Sequence, residues 1–239
     1  MIKAILFDKD GTLIEFNTLW LQSTYQLVES LVAQYANDAK QHIKVDTIAR
    51  LLGMEEEGVA EHSVLASKTS EDIATIIADE LGVDQQIIHE KVNNFYYKHA
   101  RENRSEIKSI GDVHALFQQL KQNELMIGVV TADNYDVTEL TLAQLQVSDQ
   151  VDFIATADRY EKKPNEEAMD IFCRTFNLKR DEVIHVGDTP TDMEFSRHGR
   201  FGVGVLSGVG SETTLKQYTP HVIASIQQLI DNKGKFIYH

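Results

Sequence analysis

Short apolar runs that stop at an acidic or hydroxyl residue recur along this chain. Ile2 to Phe7 stops at Asp8, Leu125 to Val130 stops at Thr131, and Val183 to Gly187 stops at Asp188. Runs of this length, bounded by turn residues, read as buried strands. Two more are expected at 152–155 and 201–206. Between them the apolar spacing switches to the helical period, which predicts helices over 112–123, 134–146, 165–177 and 190–198. Such alternation from residue 106 onward implies parallel βαβ units with right-handed crossovers.

Residues 16–105 carry a different pattern. Leu19, Leu21, Tyr25, Leu27, Val28 and Leu31 recur at helical spacing. So do Ile73, Ile76, Ile77 and Leu81, and then Ile87, Ile88, Val92, Phe95 and Tyr96. No strand is expected there. A helical insertion therefore separates the first strand from the second, giving a core of residues 1–15 and 106–239 and a helical domain of residues 16–105.

Composition narrows the function. The chain has 239 residues, 42% of them hydrophobic, and a formal net charge of -14. That charge disfavours nucleic acid and anionic membrane surfaces, which demand basic patches. The single cysteine, Cys173, allows no intramolecular disulfide. It falls among Met169, Ile171, Phe172 and Phe176 at helical spacing, as a packed thiol would. No signal-peptide pattern or membrane-length apolar run is present, so a cytoplasmic protein is expected, monomeric or homodimeric.

The strand ends carry the chemistry. Asp8 and Asp10 flank Lys9 and precede Gly11-Thr12-Leu13. Two carboxylates held this close repel unless a cation or a proton lies between them. A calcium loop is a poor fit, because an EF-hand needs flanking helices and a terminal Glu. Downstream come Thr131-Ala132-Asp133-Asn134, then Lys162-Lys163-Pro164, then Gly187-Asp188-Thr189-Pro190-Thr191-Asp192. This ordered set resembles the four motifs of the haloacid dehalogenase superfamily. Its first motif is Asp-x-Asp-Gly-Thr-Leu, and its third places the lysine directly before the proline, which selects Lys163 over Lys162. The insertion resembles that superfamily's type C1 cap. The stretches after Gly187, around Gly204 to Gly208, and from Ser63 to Ala66 resemble the phosphoglycolate-phosphatase-like branch.

The resemblance implies a Rossmann-like parallel-sheet core, bound Mg²⁺ and hydrolysis of a small phosphorylated metabolite. It makes Asp8 the nucleophile, which would form an aspartyl-phosphate, and Asp10 the general acid/base. Asp8, Asp188 and the backbone carbonyl of Asp10 would hold the metal. Thr131, Ala132, Lys163 and the turn at Gly11 would hold the phosphoryl oxygens. Asp192 is expected to reach a metal-bound water or the lysine, and Asn134 the phosphate or the cap. Asp158 is a candidate to orient Lys163. Lys9 is expected to face away from the metal with little effect, by strand alternation. Trp20 is expected in the core of the helical domain, with Phe16 beside the leaving group. His185 is expected to be structural. Other chemistries occur on this fold. A phosphomutase would need water excluded, and a phosphonatase would need a Schiff-base lysine from Lys40, Lys44, Lys68, Lys91 or Lys98. A non-enzymatic binding protein would not need Asp8, Asp10, Lys163 and Asp188 together.

Overall fold

The computed structural model describes residues 1–36, 41–56 and 58–238; Lys40 lies outside them. The chain opens with β1 (Ala4–Phe7) and a π-helical turn at Asn17–Leu21, then α1 (Gln22–Tyr35) and α2 (Gln41–Leu52). A two-residue pair follows, β2 (Met54–Glu55) and β3 (Gly58–Val59), then α3 (Val64–Ser67), α4 (Ser70–Leu81) and α5 (Gln85–Glu102). The remainder alternates: α6 (Val113–Gln122), β4 (Met126–Thr131), α7 (Tyr135–Gln144), β5 (Phe153–Thr156), α8 (Glu167–Phe176), β6 (Val183–Gly187), α9 (Pro190–Phe195), β7 (Gly202–Val205), α10 (Glu212–Leu215) and β8 (Val222–Ile223).

Six strands form one parallel sheet in the order β5-β4-β1-β6-β7-β8. The alternation of β1 explains its central place. Ile5 and Phe7 enter one apolar layer with Ile127, Val129, Ile184 and Val186. Ala4 and Leu6 enter the opposite layer with Val130, Met169 and Phe172. A strand covered on both faces reads as an unbroken apolar run, as this one does. On the first face Phe117 of α6 meets Phe7, ring centroids 5.2 Å apart. On the second, Phe172 of α8 meets Phe153 at 5.3 Å. Cys173 is free and buried there, as a packing thiol.

The order reverses at β1, with β4 and β5 on one side and β6 to β8 on the other. Ligands of open α/β sheets bind outside the carboxyl ends of the strands at such a point. Phe7 is in register with Val129 and with Val186. The residues that end β1, β4 and β6 therefore emerge side by side.

Two elements depart from the sequence expectation. The β2–β3 pair interrupts a stretch read as strand-free; two residues per strand are too few to show an alternation. β8 was also not foreseen, because Val222 and Ile223 make a run too short to separate from loop. The two chain crossings between sheet and helices lie together. Glu15 N–H donates to the Lys108 carbonyl at 2.9 Å, and Ile110 N–H to the Leu13 carbonyl at 2.9 Å. No helix among the described residues is long and apolar enough to cross a membrane.

Candidate active site

Lys163 ties the site together. It lies in the loop before α8, and its ammonium donates to Asp8 Oδ1 at 2.6 Å and to Asp192 Oδ1 at 2.7 Å. Asp8 follows β1, and Asp192 is in the first turn of α9. The sequence Thr189-Pro190-Thr191-Asp192 builds that turn. Thr189 is the N-cap, Pro190 follows where its missing N–H costs nothing, and Asp192 closes a reciprocal capping box. Asp192 Oδ2 accepts from Thr189 N–H at 3.0 Å and from its hydroxyl at 2.6 Å. The other oxygen is left to receive Lys163 and, at 2.9 Å, His185 Nε2. Asp192 thus caps its helix and reaches the lysine at once. His185 is fully buried on β6. Burial holds its pKa below the usual value against the pull of Asp192, so the neutral ring donates through Nε2–H.

Asp188 follows β6 and is fully buried. Its partners are neutral: Thr12 hydroxyl to Oδ1 at 3.2 Å and Val209 N–H to Oδ2 at 2.8 Å. Gly11 closes over it. Its φ is +81°, and a Cβ there would lie 2.4 Å from Asp188 Oδ2. Only a glycine tolerates both the turn and the contact. Gly11 N–H donates to the Ile14 carbonyl at 2.7 Å, so its contribution is the turn itself.

Carboxylate oxygens of Asp8, Asp188 and Asp192 all lie within 4.8 Å of one another. Among the described residues Lys163 is the lysine that pairs with them, and it reaches Asp8 and Asp192 but not Asp188, so the cluster carries excess negative charge in a buried place. Burial first, then repulsion from Asp192 and Asp10, raises the Asp8 pKa to about 7 against the pull of Lys163. Burial, then Asp8 and Asp192, raises Asp188 well above the usual carboxylate range. Burial opposes the charge on Lys163, but Asp192 and Asp8 outweigh it and raise its pKa. Asp192, paired with Lys163 and His185, is held below the usual range despite its burial. A hard divalent cation fits this all-oxygen donor set and would relieve the repulsion. Each Asp188 oxygen accepts a single neutral donor and Asp8 receives Lys163 through Oδ1, whereas each Asp192 oxygen already accepts two donors, so Asp8 and Asp188 are the better placed to bind it.

Asp10 stands apart from that cluster. Its oxygens receive Lys9 Nζ at 2.8 and 2.7 Å, and Oδ1 also receives Trp20 Nε1–H at 2.5 Å. This corrects the expectation for Trp20 and gives Lys9 a role the sequence did not suggest. β1 ends at Phe7, so strand alternation no longer applies at residue 9, and the fully buried Lys9 ammonium turns to Asp10 and Asp133 rather than to the Asp8, Asp188 and Asp192 cluster. Trp20 is buried, but the π-helical turn aims its indole N–H at the site rather than into the helical core alone.

Above these groups lies a cavity of about 70 Å³. Asp8, Asp10, Thr131, Ala132, Asp133 and Lys163 form its floor, and Phe16, Trp20, Leu65, Ile73 and Tyr96 close it from the helical side. Thr131 ends β4, and its hydroxyl accepts Asp133 N–H at 3.1 Å. Asn134 reaches across to the helices, donating to Asn93 Oδ1 at 2.9 Å. Lys162 points the other way from Lys163, to Asp72 of α4 at 2.7 and 3.0 Å. Asp158 does not orient Lys163; it accepts Tyr135 N–H at the start of α7.

Acidic groups and a lysine gathered over the carboxyl edge of a doubly wound sheet are the layout of an enzyme. The family model for haloacid dehalogenase-like hydrolases matches residues 5–205, and the chain belongs to that family. It is a hydrolase of phosphatase type. A provisionally named pyrophosphatase, PpaX, of Clostridium perfringens is 28% identical over 194 residues, 81% of this chain and 78% of its own length. The pyrophosphatase PpaX of Bacillus cereus strain 03BB102 is 22% identical over 193 residues, covering 80% of this chain and 77% of its own. Among solved structures, a provisionally named haloacid dehalogenase-like hydrolase from Bacteroides fragilis superposes with a TM-score of 0.70 at 20% identity, over 96% of this chain and 100% of its own. A β-phosphoglucomutase from Clostridium difficile gives 0.65 at 21%, over 96% and 93%. These likenesses are of fold.

Proposed function

We propose that this enzyme hydrolyses a small phosphomonoester through an aspartyl-phosphate on Asp8, with Mg²⁺ as cofactor. The observation that carries this reading is the contact of Lys163 with Asp8 beneath a small cavity that the helical side overhangs. Asp8 and Asp188 would hold the metal, with the Asp10 carbonyl as the family resemblance implies. The metal would neutralise the clustered carboxylates and the phosphoryl charge.

Asp8 attacks phosphorus through one carboxylate oxygen, while Lys163 and Thr131 hold the phosphoryl oxygens. The bond to the leaving oxygen breaks, and Asp10 supplies the proton that this oxygen needs. Asp10 then takes a proton from the water that attacks phosphorus, which frees Asp8 and inorganic phosphate. His185 and Thr189 fix Asp192, Asp192 fixes Lys163, and Lys163 fixes Asp8.

Residues 16–105 act in this reading as a lid hinged where Glu15 meets Lys108. Packed over the site they exclude bulk water. The cavity has room for about five waters, so a short leaving group fits and a protein or oligonucleotide does not. Phosphoglycolate is the first substrate to try, and pyrophosphate the second, since that activity is in the relatives' names. A phosphonatase would draw its Schiff-base lysine from the cavity lining. Lys68 is the lysine of the described helical segment that lines it; it is exposed, and nothing favours that reading.

Phosphate release from p-nitrophenyl phosphate and a metabolite panel, with Mg²⁺ and with EDTA, is the test. Turnover of small phosphates that EDTA abolishes and Mg²⁺ restores is expected. Full activity in excess EDTA with no metal by elemental analysis contradicts the reading.

A further inference from the structure

Lys9 is a fully buried cation in the middle of the first motif. Two carboxylates surround it: both oxygens of Asp10, at 2.8 and 2.7 Å, and Asp133 Oδ2, at 3.1 Å. The Asp133 contact is an ion pair without hydrogen-bond alignment; that oxygen has no hydrogen-bond donor. Trp20 completes the group from the helical side. Its N–H donates to Asp10 Oδ1 at 2.5 Å, and its ring centroid is 5.3 Å from the Lys9 ammonium.

Stability gives little reason for this arrangement. Buried ions lose hydration, and apolar packing of equal volume is often as good or better. What the cluster provides is orientation. The Asp10 carboxylate is gripped from two elements at once, yet its side chain stays 18% exposed on the cavity floor. A group held in one geometry by its neighbours loses less to reorganisation when it reacts.

We propose that Lys9 and Trp20 are positioning residues for Asp10, holding its carboxylate where it meets the leaving oxygen of the substrate. Trp20 supplies its hydrogen bond from the helical segment, so the grip is complete only when that segment is packed over the sheet. Lid closure and acid/base alignment are then one event. This inference rests on the phosphatase reading, in which Asp10 passes its proton to the leaving oxygen as the phosphorus–oxygen bond breaks and Asp8 bonds to phosphorus.

The consequence is a selective one. An alkoxide cannot leave without that proton, whereas p-nitrophenolate leaves with little help. Loss of alignment must therefore harm alkyl phosphates more than aryl ones. The experiment compares kcat/KM, which runs through the first chemical step, for the best alkyl phosphate of the panel and for p-nitrophenyl phosphate. The enzymes are wild type, Lys9→Met, Trp20→Phe and the charge-balanced double variant Lys9→Met with Asp133→Asn. Thermal unfolding identifies the variants that fold; should Lys9→Met fail, the double variant and Trp20→Phe carry the comparison. The alkyl phosphate is expected to lose ~10²-fold, the size of general acid catalysis, and p-nitrophenyl phosphate less than about tenfold. Equal losses on both substrates, or no loss on the alkyl phosphate, overturn the proposal. Failure of the wild-type enzyme on every phosphate with Mg²⁺ overturns instead the phosphatase reading beneath it.

Discussion

The Lys163 ammonium donates to Asp8 at 2.6 Å and, from the same nitrogen, to Asp192 at 2.7 Å. The proposed nucleophile is therefore braced by a cation that is itself braced by a helix cap. Lys163→Met removes a charge-assisted donor to the phosphoryl group, and kcat/KM should fall by about 10²–10³-fold. The metal-free protein should also lose about 3–5 kcal/mol, because buried carboxylates are left without their bridging cation. Steady-state kinetics and denaturant unfolding check the two effects; a normal kcat/KM contradicts the assigned role.

Metal binding should depend on pH with a definite sign. The folded pKa of Asp8 is about 7, above its ordinary 3.8, so the folded state holds that proton more tightly than the unfolded chain. Stability from this source is greatest below 3.8 and is lost as pH rises through 7. His185, with its pKa lowered, has the opposite slope below 6.5, but it is neutral with or without metal and cancels in the difference. Apparent Mg²⁺ affinity should thus tighten as pH rises from 5, by up to ~10-fold per pH unit for each proton displaced from Asp8 and Asp188. The rise in Tm on adding Mg²⁺ should be larger at pH 8 than at pH 5. A shift that is larger at pH 5 sinks this account of the cluster.

Lys162 and Asp72 join the sheet to the helical segment through an exposed pair, with side chains 47% and 29% exposed. Such a pair is worth about 0–1 kcal/mol. Lys162→Met or Asp72→Asn should raise KM by no more than about fivefold, leave kcat nearly unchanged, and lose its effect at high salt. Two adjacent lysines then differ by orders of magnitude. A hundredfold fall in kcat for Lys162→Met would assign it to the chemistry instead.

Gly11→Ala adds a methyl group 2.4 Å from Asp188 Oδ2 at a φ of +81°. Strain of about 1–3 kcal/mol and a displaced Asp188 are expected, with weaker Mg²⁺ binding as the clearest symptom. Calorimetric titration with Mg²⁺ measures it; unchanged affinity means Asp188 is not a ligand.

Much of the site was legible because its residues end apolar runs. Asp8, Thr131 and Asp188 could be placed together from three strand ends, and the sheet order puts them there. Lys163 could be told from Lys162 only through the family pattern; the two now face opposite directions. The cluster around Asp10 was not legible. Lys9 lies past the last residue of β1, where the two-residue alternation stops, and no spacing rule says where it turns. Trp20 sits in a π-helical turn, and no spacing of apolar residues around it tells which way its indole N–H points. β8 was missed for want of length. The partnership of Asp192 with His185 joins a strand to a helix turn, and that is a contact of the folded chain rather than of any local pattern.

The covalent intermediate is the central claim, and rapid acid quench followed by peptide mass spectrometry tests it most directly. Enzyme mixed with Mg²⁺ and a good substrate, then quenched within one turnover, should carry a phosphoryl group on the peptide containing Asp8. Asp8→Asn, kept free of deamidation, should carry none and turn over several orders of magnitude more slowly. An unmodified Asp8 peptide throughout the turnover, together with near-normal hydrolysis by Asp8→Asn, would contradict the account.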